Sequence, residues 1–192
     1  LYDADRVPVG DDQRQHLELT RDLAIRFNSR FGDTFVVPEH AIPAAGARVM
    51  DLQNPTNKMS KSSDSPQGTV LLLDTPKDIE RKFKRAVTDS ETEVRYDRAA
   101  KPGVANLLDI LSVATGRNPE ALAKEFTQYG PLKQAAADAV IEMVHPVQER
   151  YAELSNDPGE VHRLLKVGAD KARAIAAGVL ERVYDRIGFL AP

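Results

Sequence analysis

The chain has 192 residues, of which 42% are hydrophobic and 29% are charged, yet its formal net charge is only -3. Such a length suffices for one large domain or two modest ones, and the balanced charge excludes a strongly basic coat or a long acidic tail. The chain contains no cysteine, which excludes disulfides and thiolate metal sites, and no apolar run approaches the roughly 18 residues of a membrane span. A soluble protein of a reducing compartment, the cytoplasm, is expected.

The first part of the chain predicts an α/β arrangement. Gly10 precedes a helix predicted over about residues 11 to 30, with Asp11 or Asp12 as its N-cap. A loop rich in Ser, Pro and Asn covers residues 51–68. Short extended segments are predicted at 7–9, 35–38, 47–50 and 69–73. Strand, turn and helix in this order are typical of α/β folds.

From Pro76 onward the strand pattern stops and helical periodicity takes over. The predicted helices cover about 76–87, 103–115, 118–127, 130–154 and 159–187. Gly116 is typical of a helix end, whereas Pro146 predicts a kink or a break in the fourth of these helices. The apolar stripe of the last helix is predicted to be core: Val161, Leu164, Leu165, Ile175, Leu180 and Val183. The chain therefore divides into an α/β part, 1–75, and an all-α part, 76–192.

The predicted loop contains the string Lys58-Met59-Ser60-Lys61-Ser62. Two lysines three residues apart can bring two ammonium groups to one polyanion, since lysine acts as a flexible point charge. Serine hydroxyls and backbone N–H groups add hydrogen-bond donors. The set suits a triphosphate, above all a transition state that moves charge onto a departing pyrophosphate. On the lysine spacing alone, a solvated loop with two surface lysines is the simpler interpretation.

The complete string resembles the signature loop of class I aminoacyl-tRNA synthetases. The text around it is similar to the bacterial tryptophanyl-tRNA synthetase family in the segments 7–13, 16–22, 46–50 and 86–90. The tyrosyl enzymes carry a different segment around the pair Asp12-Gln13. The resemblance covers essentially the whole chain. It implies the C-terminal half of a Rossmann-like catalytic domain at 1–75, with the signature loop at 51–68, and a helical anticodon-binding domain with the C-terminal helices at 76–192.

The activity that the resemblance implies is that of a tryptophan–tRNA ligase. The family activates tryptophan with Mg-ATP to tryptophanyl-adenylate and pyrophosphate, and transfers the aminoacyl group to tRNA(Trp). Lys58 and Lys61 match the catalytic lysines that stabilise the pyrophosphate charge. The positions that match ATP-binding residues are Gly10, Asp11, Asp12, Val49, Lys58, Met59, Ser60, Lys61 and Ser62. Those that match tryptophan-binding residues are Val7, Val9 and Gln13. Mg²⁺ accompanies ATP, no metal bound by protein side chains is expected, and the intact protein is expected to be a homodimer.

A basic run in the helix predicted after residue 75 offers a surface for tRNA. Its members are Lys77, Arg81, Lys82, Lys84 and Arg85. Because phosphate binding is mostly electrostatic, such a run can contact an RNA backbone. The alternative is a solvated helix face on which these residues pair with Asp78 and Glu80.

Two family features do not occur in this sequence: the His-x-Gly-His type segment, and the acidic residue that reads the indole N–H. The resemblance therefore predicts the C-terminal portion of a family member, inactive on its own. Three alternatives stay open, namely a helical RNA-binding module without catalysis, a structural interaction domain, and a tyrosyl-type synthetase.

Overall fold

The computed structural model describes residues 1–42, 48–60 and 65–190. The chain forms two compact units, Leu1–Pro43 with Glu153–Pro192, and Ala44–Ala152. In chain order the elements are β1 (Arg6–Pro8), a 3₁₀ turn (Asp11–Gln13), α1 (Arg14–Phe31), β2 (Glu39–Ala41), α2 (Pro76–Lys84), α3 (Pro102–Thr115), α4 (Pro119–Ala123), α5 (Tyr129–Ser155) and α6 (Pro158–Ile187). The predicted helices are confirmed, although α2 and α4 end earlier than expected. The division of function near residue 75 stays a prediction.

The first unit contains a strand–helix–strand arrangement. β1 and β2 pair in parallel, with Val7 opposite His40, and α1 connects them. The helix ends at Gly32, whose φ of 86° lies in the left-handed region that glycine adopts without strain.

The second strand of this arrangement lies at 39–41 and not at the predicted 35–38. The reason is the side chain of Asn28, which accepts hydrogen bonds from the backbone N–H groups of Thr34 and Phe35 at 3.1 and 2.9 Å. The same side chain donates to the Phe35 carbonyl at 2.8 Å. The backbone after α1 is therefore committed to a turn, and sheet pairing begins only beyond it.

The prediction that the apolar stripe of α6 forms core is wrong. Val179 is the buried residue of this helix. The exposed fractions of Leu164, Leu165 and Ile175 are 39%, 65% and 51%. An apolar stripe becomes core only where another element packs against it, and the described residues of this unit leave most of the α6 stripe open to solvent.

The core of the second unit is built around α3, which is buried from Gly103 to Ser112. Pro102 occupies the first turn of α3, where its missing N–H costs no hydrogen bond. Gly116 ends the helix in the left-handed conformation with φ 69°. The surrounding helices contribute the buried side chains Ile79, Phe83, Leu122, Leu132, Ala136 and Val140. α3 is thus the fixed central element of this unit.

The segment predicted as a strand at 69–73 contains no strand. The backbone N–H of Leu71 donates to Asp74 Oδ2 at 2.8 Å, and Gln148 Nε2 donates to the carbonyls of Leu72 and Asp74 at 2.7 and 3.0 Å. Side chains therefore satisfy backbone groups that a strand would have paired. Leu72 is 62% exposed, so this apolar run does not contribute all of its side chains to the core.

Pro146 lies inside α5, which continues without a break from Tyr129 to Ser155. The predicted break at this residue is therefore wrong, whereas the alternative, a kink, stays a prediction. Pro146 and Glu142, four residues before it, are both exposed. Water can therefore satisfy the carbonyl that the missing proline N–H leaves without its helical partner.

Candidate functional site

Six of the predicted site residues lie at the end of β1 in the first unit. Val7 is in the strand, half-buried, and lines an apolar cavity of about 610 Å³ together with Leu17, Phe27 and Phe35. The Val9 N–H extends the pairing by donating to the Ala41 carbonyl at 3.3 Å. The carboxyl end of a parallel strand is where α/β sheets place ligands.

Gly10 and the 3₁₀ turn that follows it lead from this strand into α1. The residue at the N-cap is Gly10, so the predicted capping position of Asp11 or Asp12 is wrong, and both aspartates occupy the first turn. Asp11 Oδ1 accepts from Arg14 Nε at 3.3 Å, and Gln13 Nε2 donates to Asp12 Oδ2 at 3.2 Å. Both carboxylates are exposed, at a helix start where negative charge is favoured.

The signature string begins in a narrow hairpin of the second unit. Met50 and Lys58 form an antiparallel bridge. The Met59 N–H donates to the Val49 carbonyl at 3.0 Å, and the Asp51 N–H donates to the Asn57 carbonyl at 2.8 Å. The start of the loop is therefore an ordered two-stranded turn.

Successive side chains of this hairpin point to opposite sides, as they do in any extended pair. Lys58 is exposed, whereas Met59 is half-buried and packs with Val49 against the core of the unit. Met59 and Val49 also line a small apolar cavity of about 160 Å³. Packing of Met59 thus determines that the Lys58 side chain faces solvent. Lys61 and Ser62, which the sequence pairs with Lys58, lie outside the described residues.

The far end of the loop returns to the same hairpin. The Leu52 N–H donates to the Gly68 carbonyl at 2.9 Å, and Thr69 Oγ1 donates to the Ser60 carbonyl at 3.0 Å. Asp51 is buried and accepts from the backbone N–H groups of Gln53 and Asn54 at 2.7 and 2.9 Å. A Cβ atom at Gly68 would overlap the Asp51 carboxylate. This position therefore requires glycine, and both ends of the loop are held.

One residue that sequence reasoning missed lies directly behind the hairpin. Asn106 of α3 is 3% exposed. Its Oδ1 accepts from the Met50 N–H and its Nδ2 donates to the Met50 carbonyl, both at 2.9 Å. The signal in the sequence is a single amide within an otherwise apolar run from Val104 to Leu108. The partner of that amide is 56 residues away and is not visible from the sequence.

The basic residues of α2 and its end differ in burial. Lys82 is buried, and its ammonium lies 2.5 Å from Asp74 Oδ2. Arg81 is on the surface and pairs with Asp78 at 2.6 Å. The other exposed members are Lys77, Lys84 and Arg85. Lys82 thus faces the interior, and the surface available to a partner is formed by the remaining basic residues.

The predicted residues consequently form two groups. The first unit holds Val7, Val9, Gly10, Asp11, Asp12 and Gln13. The second holds Val49, Lys58, Met59, Ser60 and the basic run. Within the described ranges, no helix is long and apolar enough to cross a membrane, and no group of three or more His, Asp or Glu residues is arranged to hold a metal ion.

Comparison with known proteins finds close similarity along the chain. Residues 1–145 match the sequence profile of the class I tRNA synthetases (W and Y). Tryptophan–tRNA ligase 1 of Streptomyces avermitilis is 52% identical over 189 residues, which are 98% of this chain and 57% of that protein. This chain therefore spans less than two thirds of the length of that relative.

Solved structures of tryptophanyl-tRNA synthetases are also similar to this chain. The crystal structure of tryptophanyl-tRNA synthetase from Mycoplasma pneumoniae has a TM-score of 0.89 and 34% identity, covering 98% of this chain and 59% of its own. The structure of tryptophanyl-tRNA synthetase from Campylobacter jejuni complexed with ADP and tryptophan has a TM-score of 0.65 and 30% identity, covering 98% of this chain and 58% of its own.

Proposed function

We propose, since the chain belongs to the class I tRNA synthetases (W and Y), that it is the portion of a tryptophan–tRNA ligase that binds the phosphates of ATP and the tRNA. The observation that carries this proposal is the hairpin at 48–60, which presents Lys58 to solvent while Met59 anchors the strand in the core. A lysine held in this way at the start of a loop can reach a bound polyphosphate.

The proposed reaction requires positioning and charge stabilisation and no nucleophilic side chain. The carboxylate of tryptophan attacks the α-phosphorus of ATP, the bond to the β-phosphate oxygen breaks, and pyrophosphate leaves with the negative charge. Lys58, together with Lys61, stabilises that charge in the transition state. The adenylate then transfers its aminoacyl group to a hydroxyl of the terminal adenosine of tRNA(Trp). ATP brings Mg²⁺ to the site.

The remaining roles are proposed from the resemblance of these positions to the binding residues of the family. Gly10 allows a close approach of the backbone to the nucleotide, and the exposed carboxylates of Asp11 and Asp12 accept hydrogen bonds from ribose hydroxyls. Val49 offers an apolar contact to adenine. The apolar wall at Val7 supports an amino-acid pocket there. The other residues proposed to act at these sites are Val9 and Gln13 for tryptophan, and Met59, Ser60 and Ser62 for ATP.

A second part of the proposal concerns tRNA. The exposed basic residues of α2 and its end, Lys77, Arg81, Lys84 and Arg85, contact phosphates, whereas the buried Lys82 takes no part. The helices after residue 75 form the anticodon-binding region. We further propose that the complete protein is a homodimer and acts in the cytoplasm, where tRNA is charged.

The test is ATP–pyrophosphate exchange by the complete protein that carries this chain. Exchange should depend on tryptophan and not on tyrosine. Lys58→Ala and Lys61→Ala should each lower the exchange kcat by about 100-fold, since each removes a charge that acts mainly in the transition state. Lys124→Ala, an exposed lysine of the same unit, should leave kcat unchanged and serves as the control.

Three results would overturn the proposal. Exchange that survives loss of both loop lysines would remove their catalytic role. A preference for tyrosine would identify the tyrosyl-type enzyme. Binding of tRNA by a protein that shows no exchange would identify an RNA-binding module without catalysis.

A further inference from the structure

Asn106 is an unusual residue for its position at the centre of α3. The residues on either side of it in this buried helix, Ala105 and Leu107, are 1% exposed, and Asn106 itself is 3% exposed. An amide in such surroundings destabilises the fold unless all of its polar groups find partners. A leucine has the same branching at Cγ and carries no such requirement.

The amide finds both of its partners on one residue of the signature hairpin. Its oxygen accepts the Met50 N–H and its nitrogen donates to the Met50 carbonyl, at 2.9 Å in each case. Met50 is also the residue that bridges to Lys58. Asn106 therefore holds the strand that faces the lysine, by a pair of hydrogen bonds that fixes both the position and the register of Met50.

Register determines which side chain of the signature string reaches solvent. A slip of one residue between the two short strands would exchange the faces of Lys58 and Met59. A hairpin this short supplies few hydrogen bonds of its own to prevent such a slip. α3 is buried along most of its length and capped by Gly116, so it provides a rigid reference for the hairpin.

We propose that Asn106 is a positioning residue for the activation reaction: it fixes the register of the hairpin and thereby directs Lys58 towards the triphosphate. The inference rests on the proposed function of the loop. Asn106 touches neither ATP nor tryptophan in this scheme, and its effect is exerted through the backbone of Met50.

The decisive experiment is a double-mutant cycle in the complete protein, measured by ATP–pyrophosphate exchange. Asn106→Leu keeps the branching of the side chain at Cγ and removes both hydrogen bonds. It should lower kcat by about 10- to 100-fold, as expected for a misplaced catalytic group. In the Lys58→Ala background the same substitution should have little further effect, because the group that it positions is already absent.

A matched control separates positioning from general loss of stability. Ser112 lies on the same helix, is 4% exposed, and donates its hydroxyl to the Arg117 carbonyl at 2.6 Å. Ser112→Ala therefore also removes a buried bond from side chain to backbone, but one that does not involve the hairpin. It should lower Tm while leaving kcat per folded molecule unchanged, and its effect should be independent of Lys58→Ala.

Amide hydrogen exchange gives a readout besides activity. In Asn106→Leu the amides of Met59 and Asp51, which close the hairpin, should exchange at least about tenfold faster, while amides of α3 keep their protection. If Asn106→Leu does not fold, Asn106→Ala replaces it, since alanine also removes both hydrogen bonds to Met50 and introduces neither a larger side chain nor a buried charge.

The outcomes are distinguishable. Losses in kcat that multiply between Asn106→Leu and Lys58→Ala, or unchanged exchange of the Met59 amide, would overturn the positioning role and leave the proposed function intact. A rate of ATP–pyrophosphate exchange that Lys58→Ala does not alter would overturn both the positioning role of Asn106 and the proposed function of the loop.

Discussion

The ammonium of Lys101 lies 3.1 Å from Asp89 Oδ1 in the second unit, and the lysine side chain is 2% exposed. Lys101 also contacts Glu91 Oε2 at 2.6 Å and donates to the Tyr129 hydroxyl at 3.0 Å. That hydroxyl in turn donates to Asp89 Oδ1 at 2.5 Å. Because Lys101 is the N-cap residue of α3 and Tyr129 begins α5, this network ties two helix starts to the segment that follows α2.

The protonation states of this network make its stabilisation depend on pH. Burial acts to raise the pKa of Asp89, but hydrogen bonds from Tyr129, the Glu91 backbone and Lys101 outweigh it and lower that pKa below its ordinary value of 3.8. The hydrogen bond to Glu91 raises the pKa of Lys101, against the effect of burial. Both groups are therefore charged through neutral pH.

The first prediction concerns acid. Since the folded-state pKa of Asp89 lies below its unfolded value, the network stabilises the fold fully above about pH 5 and loses that contribution as the pH falls through the folded-state pKa. Urea unfolding of the wild type and of Asp89→Asn should differ in free energy at pH 7, and the difference should shrink below pH 4. A difference that is the same at pH 7 and pH 3 would contradict this.

The second prediction concerns Gly68. An alanine there places its Cβ against the carboxylate of buried Asp51, so Gly68→Ala should lower the free energy of unfolding by about 2 kcal/mol, as overpacking commonly does. Gly130 is the matched control, because nothing lies within 4 Å of a Cβ added there. Gly130→Ala, near the start of α5, should be neutral or stabilising by up to about 1 kcal/mol. Urea unfolding of both variants provides the measurement. Equal losses in the free energy of unfolding would refute the clash.

The helices were predictable because their ends are marked locally. Pro102 and Gly116 bound α3 through their own backbone preferences, and no distant residue is needed to read them. The run at 69–73 is different, since a short apolar stretch does not identify its structure by periodicity. Its backbone is engaged by Asp74 and Gln148, and the second of these is 76 residues away from Leu72.

The candidate site also combines features that the local sequence predicts with features that depend on distant residues. The placement of Lys58 in a loop follows from nearby Ser, Pro and Asn residues, and its proposed chemistry follows from the family resemblance. The contacts of Asn106 with Met50 and of Gly68 with Asp51 join residues that are distant in the sequence, so no local pattern predicts them. The burial of Lys82 is likewise decided by Asp74, eight residues earlier, which turns back towards α2.

The third prediction separates Lys82 from the rest of the basic run. Its ammonium and Asp74 form an ion pair whose side chains are 7% and 13% exposed. Removing one partner leaves the other buried without its counter-charge, so Lys82→Met should lower the free energy of unfolding by about 3 kcal/mol. Lys84→Met, on the surface of the same helix, should change it by less than about 0.5 kcal/mol. Chemical denaturation of the two variants decides between them, and equal stabilities would show that the buried pair contributes nothing.

The fourth prediction concerns the proposed tRNA surface of the complete protein. Each phosphate contact made by an exposed basic residue releases counterions, so Lys84→Ala and Arg85→Ala should each weaken tRNA binding and reduce the slope of log Kd against log salt by about 0.7 to 0.9. Arg26→Ala removes an exposed charge from α1, outside the region proposed to bind tRNA, and should leave the slope unchanged. Filter binding across a salt series provides the measurement. If all three variants keep the wild-type slope, the basic residues of this helix are a solvated face and tRNA binds on another surface.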